Sequence, residues 1–167
     1  VNADSIKMPD SLKFKTLIKG RTVFGGGGIM PDFFVPLDTA GASDYFSELI
    51  RGGFLNSFSY EYTNNKRKEL LKSYPSFSDF NKNFNCDEPF MDLFFSYVAK
   101  EDSTLKKNEE EYELSEAFVK LRLKSFLARN LWDTNEFYQV YNSSNEILLR
   151  AIDILQNNEY DKIDLDN

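Results

Sequence analysis

The sequence predicts a mainly α chain with a small β portion: an N-terminal β-hairpin and a short strand, then an all-α helical bundle. Three observations carry this fold class. "LKFKTLIK" alternates, with Leu12, Phe14, Thr16 and Ile18 on one side and Lys13, Lys15 and Lys19 on the other. Four consecutive glycines, Gly25 to Gly28, follow at once, and chain without Cβ atoms is costly to order unless a turn or a close approach needs it. From Tyr45 onward the apolar residues recur at helical spacing, and most of them are aromatic.

Taken in order, Gly20 supplies a turn and "RTVF" a returning strand, so Leu12 to Phe24 reads as a hairpin. "DFFVP" is a short apolar run closed by Pro36, read as a buried or edge strand. "DTAGAS" connects, with Ser43 placed to cap a helix whose apolar residues are Tyr45, Phe46, Leu49 and Ile50 and which Gly52 and Gly53 stop. Phe54, Phe58 and Tyr62, then Leu70, Leu71 and Tyr74, make a second helix ended by Pro75. Phe77, Phe80 and Phe84 make a third. Asp87 with Pro89 opens a fourth, striped by Met91, Phe94, Phe95 and Val98.

The longest helix is expected over about Glu110 to Leu131, apolar on more than one side through Leu114, Phe118, Leu121, Leu123, Phe126 and Leu127. Such a helix fits the centre of a bundle, and Phe94, Phe118, Phe126 and Ile152 are expected in one core. Asp133 with Glu136 and Ser143 with Glu146 resemble capping boxes for two last helices, before an acidic tail expected to fray. The division this implies is residues 1–42 for the extended part and 43–167 for the helical domain.

Composition excludes several functions. The chain has 167 residues, 16% of them aromatic, enough for one Phe-dominated core. Its formal charge of −7 argues against a nucleic-acid partner, since phosphate binding rests on clustered Lys and Arg. No apolar run reaches the roughly 18 to 20 residues of a membrane span. Cys86 is the only cysteine and there is no histidine, so a Ser-His-Asp triad, a Cys-His pair and a HExxH zinc site are all impossible within the chain. No metal and no cofactor is expected. Ser103 and Lys106 fit the letter of a Ser-x-x-Lys dyad, but they lie in a charged stretch that reads as a solvated loop. The glycine run fails as a phosphate loop as well. Met30 or Pro31 stands where the third glycine of G-x-G-x-x-G belongs, and Gly26 where a P-loop lysine belongs.

"LKFKTLIKGRTVFGGGGIMPDFFVPLDT" closely resembles a stretch of the carboxy-terminal processing, or tail-specific, serine proteases. The positions that carry the resemblance are Thr16, Gly20, Arg21, Gly28, Ile29, Pro31 and Asp32, with Gly25, Gly26 and Gly27 completing the four-glycine form. The aromatic helices, including "LARNLWDTNEFYQVYN", look like those of the subgroup with a long helical C-terminal extension. The resemblance implies a Ser-Lys endopeptidase whose dyad and PDZ-like substrate module lie upstream of Thr16. It therefore assigns no catalytic residue to this chain. The abrupt opening "VNADSIKMPDS" is expected from a piece of a longer protein. It further implies protein or peptide substrates bound through the upstream domains, and an extracytoplasmic location. The competing expectation is a helical module that binds a protein partner or self-associates, with no catalytic role.

Overall fold

A computed structural model describes residues 9–18, 20, 22–26, 33–36 and 41–159. Among them are one two-stranded antiparallel sheet and seven α-helices: β1 (Lys13–Lys15), β2 (Thr22–Phe24), α1 (Asp44–Arg51), α2 (Phe54–Ser73), α3 (Phe77–Asn83), α4 (Glu88–Glu101), α5 (Glu109–Leu131), α6 (Thr134–Tyr141) and α7 (Glu146–Gln156). The mainly α class with a small β portion is therefore observed. The chain divides into two compact units. One is Val1–Leu37 with Asn145–Asn167, and the other is Asp38–Ser144.

In the first unit, β1 and β2 pair with Lys13 opposite Phe24, Phe14 opposite Val23 and Lys15 opposite Thr22. The hairpin is shorter than the alternation suggested. Leu17 and Ile18 sit fully exposed in the turn, and Phe14 is 56% exposed, so no face of the hairpin is buried. Described residues 33–36 form no strand, which corrects the expectation for "DFFVP". Helix α7 belongs to this unit, where Arg150 lies 5.9 Å from the Phe33 ring and pairs with Glu159 at 2.6 Å. Ile154 is buried, whereas Ile152 is 40% exposed; it does not share a core with Phe94, as the sequence had suggested.

The second unit is the helical body. Its centre is α5, which packs most on α6 and α2 and further on α1 and α3. The buried side of α5 runs through Tyr112, Ser115, Val119, Leu123 and Leu127, at three- and four-residue steps. Those residues are mostly small or aliphatic. Leu114 is exposed, and Phe118 and Phe126 are only half-buried, so the aromatics flank the seam instead of filling it. The ring-rich core comes from the partners. Phe58 of α2 meets Phe90 at 5.5 Å and Phe94 at 5.3 Å, while Phe80 stacks on Phe84 at 4.7 Å and touches Trp132 at 5.4 Å. Burying each such ring is worth about 1.5–3 kcal/mol, which suffices to hold short helices such as α3 that would not persist alone.

The helix starts follow their capping chemistry. Ser43, Ser76, Asp87 and Asn108 each accept the backbone N–H three residues on, and Pro89 occupies the first turn of α4. Asp133 caps α6, but through the adjacent N–H of Thr134 instead of that of Glu136. Ser143 does not cap α7. It lies in a 3-10 turn, Asn142–Ser144, donating to the Val140 carbonyl at 2.7 Å, and Asn145 takes the cap by accepting from the Leu148 N–H at 3.2 Å.

Candidate functional site

The segment singled out by the sequence begins at the hairpin turn. The Gly20 N–H donates to the Thr16 carbonyl at 3.1 Å, and Gly20 has φ +64°, a left-handed conformation that favours glycine. After β2, Gly25 and Gly26 form a bend, and the Gly25 N–H donates to the Leu12 carbonyl at 2.8 Å. A Cβ on Gly25 would run into the Phe14 ring, so this glycine admits a close approach; neither Gly25 nor Gly26 has positive φ. Arg21, Gly27, Gly28, Ile29, Pro31 and Asp32 lie outside the described residues. Residues 33–36 are described and form no helix, and the next described helix starts at Asp44.

The remaining chemistry-bearing residues are in the helical unit. Ser103 and Lys106 are both exposed and share no hydrogen bond, an arrangement without the burial a general-base lysine requires. They stand on the lip of a groove of about 500 Å³ floored by Tyr45, Phe95, Val98 and Leu105. Cys86 is buried with its Sγ donating to the Lys120 carbonyl at 3.5 Å. Burial pushes its thiol up to about 12, with Lys124 and Lys120 only partly offsetting it, so the nucleophilic thiolate is absent at neutral pH. Among the described residues no cluster of His, Cys, Asp and Glu could hold a metal ion, and no helix is long and apolar enough to cross a membrane.

Two polar junctions hold the helical unit together, and neither is visible in local sequence. At the first, Ser43 caps α1 through the Phe46 N–H and also meets the Ser115 hydroxyl at 3.0 Å, while a Glu111 carboxylate oxygen accepts the Tyr45 N–H at 2.6 Å. A residue of α5 thus completes the cap of α1. At the second, Arg67 of α2 donates to the carbonyls of Asn130 and Leu131, the open end of α5, and Arg129 reaches back to Asn56. A further groove, of about 380 Å³, is lined by Tyr62, Tyr74, Phe84 and Phe90 with Glu69 and Asp87.

Comparison with known proteins bears on this helical unit. Residues 45–133, more than half of the chain and the stretch from α1 to the α6 cap, match the model of a family of unknown function, DUF8443. The chain belongs to this family. The DUF8443 match lies wholly within the helical unit and leaves out the hairpin and α7. It therefore does not reach Lys15 to Pro36, where the protease-like motif lies. No curated protein and no solved structure matches the chain.

Proposed function

We propose that the chain is the C-terminal, non-catalytic part of a Ser-Lys endopeptidase of the carboxy-terminal processing type. In this reading residues 1–42 belong to the end of the protease core, and residues 43–167, which include the DUF8443 match, form an appended helical domain. The observation that carries it is the Thr16, Gly20-Arg21, Gly28-Ile29 and Pro31-Asp32 pattern. A physical property of the hairpin unit supports it. Among the described residues of the hairpin part, Phe14, Leu17, Ile18, Val23 and Phe34 are large apolar side chains left exposed. A lone two-stranded ribbon is marginal in water, and three-residue strands with no buried face make it weaker still. Such a ribbon gains its stability as part of a larger sheet.

The second reading, a helical interaction module, is favoured by one observation: the family match is confined to the helices. The two readings separate in one experiment. The encoded sequence upstream of Val1 is read, and the longer protein and the chain alone are each given an unstructured peptide ending in apolar residues. The expected result is an upstream Ser and Lys, cleavage by the longer protein, and none by the chain alone. Cleavage by the chain alone that a Ser103→Ala variant abolishes overturns the proposal, as does a longer protein with no Ser-Lys pair.

A further inference from the structure

The groove between the later turns of α2 and the segment joining α3 to α4 brings four aromatic rings together. Tyr62 and Tyr74 are half-buried in it and Phe84 and Phe90 are buried. The rings stand edge to face: Tyr62 on Phe90 at 5.0 Å and 89°, Tyr74 on Phe84 at 5.8 Å and 81°, Phe84 on Phe90 at 5.5 Å and 88°. Three charged side chains line the same groove. Lys66 is paired with Glu69, at 3.0 and 3.2 Å to its two carboxylate oxygens. Asp87 spends one carboxylate oxygen on the Phe90 N–H at 3.1 Å and, among the described residues, forms no ion pair with a cation, which leaves its charge available at the groove.

Elsewhere in the molecule the cations use aromatic faces. Lys107 lies over Phe95 at 4.5 Å, Arg122 over Tyr141 at 4.2 Å and Arg129 over Phe126 at 4.9 Å. Among the described residues, no Lys or Arg lies over Tyr62, Tyr74, Phe84 or Phe90, and Lys66, the nearest candidate, is turned to Glu69.

We infer that this groove binds a methylated or quaternary ammonium group, held by Tyr62 and Tyr74 with Asp87 as its counter-charge. A methylated ammonium is weakly hydrated, so it enters an aromatic site at small desolvation cost and is attracted by the negative faces of the rings. The groove, at about 380 Å³, has room for a trimethylammonium head with its attached chain leading out. The overall charge of −7 favours the approach of a cation. Ammonium or sodium, being strongly hydrated, gains less there. The same head group occurs on small molecules such as choline and on trimethylated lysine side chains. This inference stands on the groove alone and is independent of the protease reading.

The test is calorimetric titration of the full chain with tetramethylammonium chloride against a sodium chloride blank of equal ionic strength, with amide shifts followed by NMR. Saturable binding is expected, with shifts at Tyr62, Tyr74, Asn85 and Phe90. Asp87→Asn keeps the α4 cap, because Asn caps as well as Asp, and should weaken binding about three- to tenfold. Tyr74→Phe keeps the ring and should bind nearly as the parent does, whereas Tyr74→Leu should not. Choline and a trimethyl-lysine peptide then distinguish the source, the tighter of the two identifying it. Heat no greater than the sodium blank overturns the inference. So does an Asp87→Asn variant that binds equally well, or shifts that fall on the groove around Phe95 instead.

Discussion

At the scale of single residues, the chemistry of the neighbourhood decides what a side chain does. Gly53 has φ +70° between α1 and α2, with open space where a Cβ would go, so its cost of replacement is purely conformational. Gly53→Ala should lose about 1 kcal/mol or more in urea melts. Gly25→Ala should lose under about 0.5 kcal/mol, because its φ is ordinary and the ring it would strike, Phe14, is exposed and free to swing. Equal losses would contradict this. Cys86 gives the pH dependence. Its thiol ionises at 9.0 when unfolded and at about 12 when folded, so the native state holds the proton more tightly across that window. The stabilisation is fully present below pH 9 and is lost as pH climbs toward 12. Tyr45, raised from 10.0 to about 12 by burial and by Glu109 and Glu48, adds in the same direction. Melts at rising alkaline pH should fall more steeply for the parent than for Cys86→Ala; parallel slopes would show that the buried thiol plays no part. Nothing in the residues around Cys86 in sequence announces its burial, and the carbonyl that accepts its thiol hydrogen, that of Lys120, comes from another helix.

At the scale of elements, helix positions were legible and buried faces were not. Aromatic stripes and caps locate α1 to α6 because the 3.6-residue period and the N-cap hydrogen bond are local properties. Ser143 misled because Asn142–Ser144 spends its polar atoms on a 3-10 turn, leaving the cap to Asn145. The face of α5 misled for a different reason. With apolar residues on several sides, only the partners decide which side is covered, and they chose the one with Ser115, Val119 and Leu123. Two outcomes follow. Phe94→Ala should cost about 3–5 kcal/mol, since that ring is fully buried, while Phe118→Ala should cost clearly less, its half-buried ring resting on Gly41 and Phe46. Denaturant melts that reverse this order would refute the assignment. Ser43→Ala should cost about 1–2 kcal/mol, because it strips the α1 cap and removes the contact to the buried Ser115 hydroxyl, which keeps only its bond to the Glu111 carbonyl. In a double-mutant cycle with Ser115→Ala the two losses should not add; strict additivity would mean that the hydroxyl contact contributes nothing.

At the scale of the whole molecule, among the described residues, the helical unit carries the core and the hairpin unit most of the exposed large apolar side chains. Hydrogen exchange should therefore be slowest in α2, α4 and α5 and fast throughout β1, β2 and α7, with the helical unit opening only at the global free energy. Protection of the hairpin equal to that of α5 would show that the ribbon is stable by itself. The groove with Tyr62, Tyr74 and Asp87 could not be found from the sequence, because residues 62 and 74 look like ordinary stripe positions and only folding brings Asp87 beside them. The Arg67 contact has a consequence for how the chain is made. Its acceptors, the carbonyls of Asn130 and Leu131, come 63 and 64 residues later in the chain. At a synthesis rate of about 5–20 residues per second, Arg67 leaves the ribosome roughly 3–13 s before its partner end does. Throughout that wait α2 has no α5 to pack against. The nascent helix is thus a natural client for chaperones, and slowing translation between residues 74 and 131 should lower the yield of folded protein.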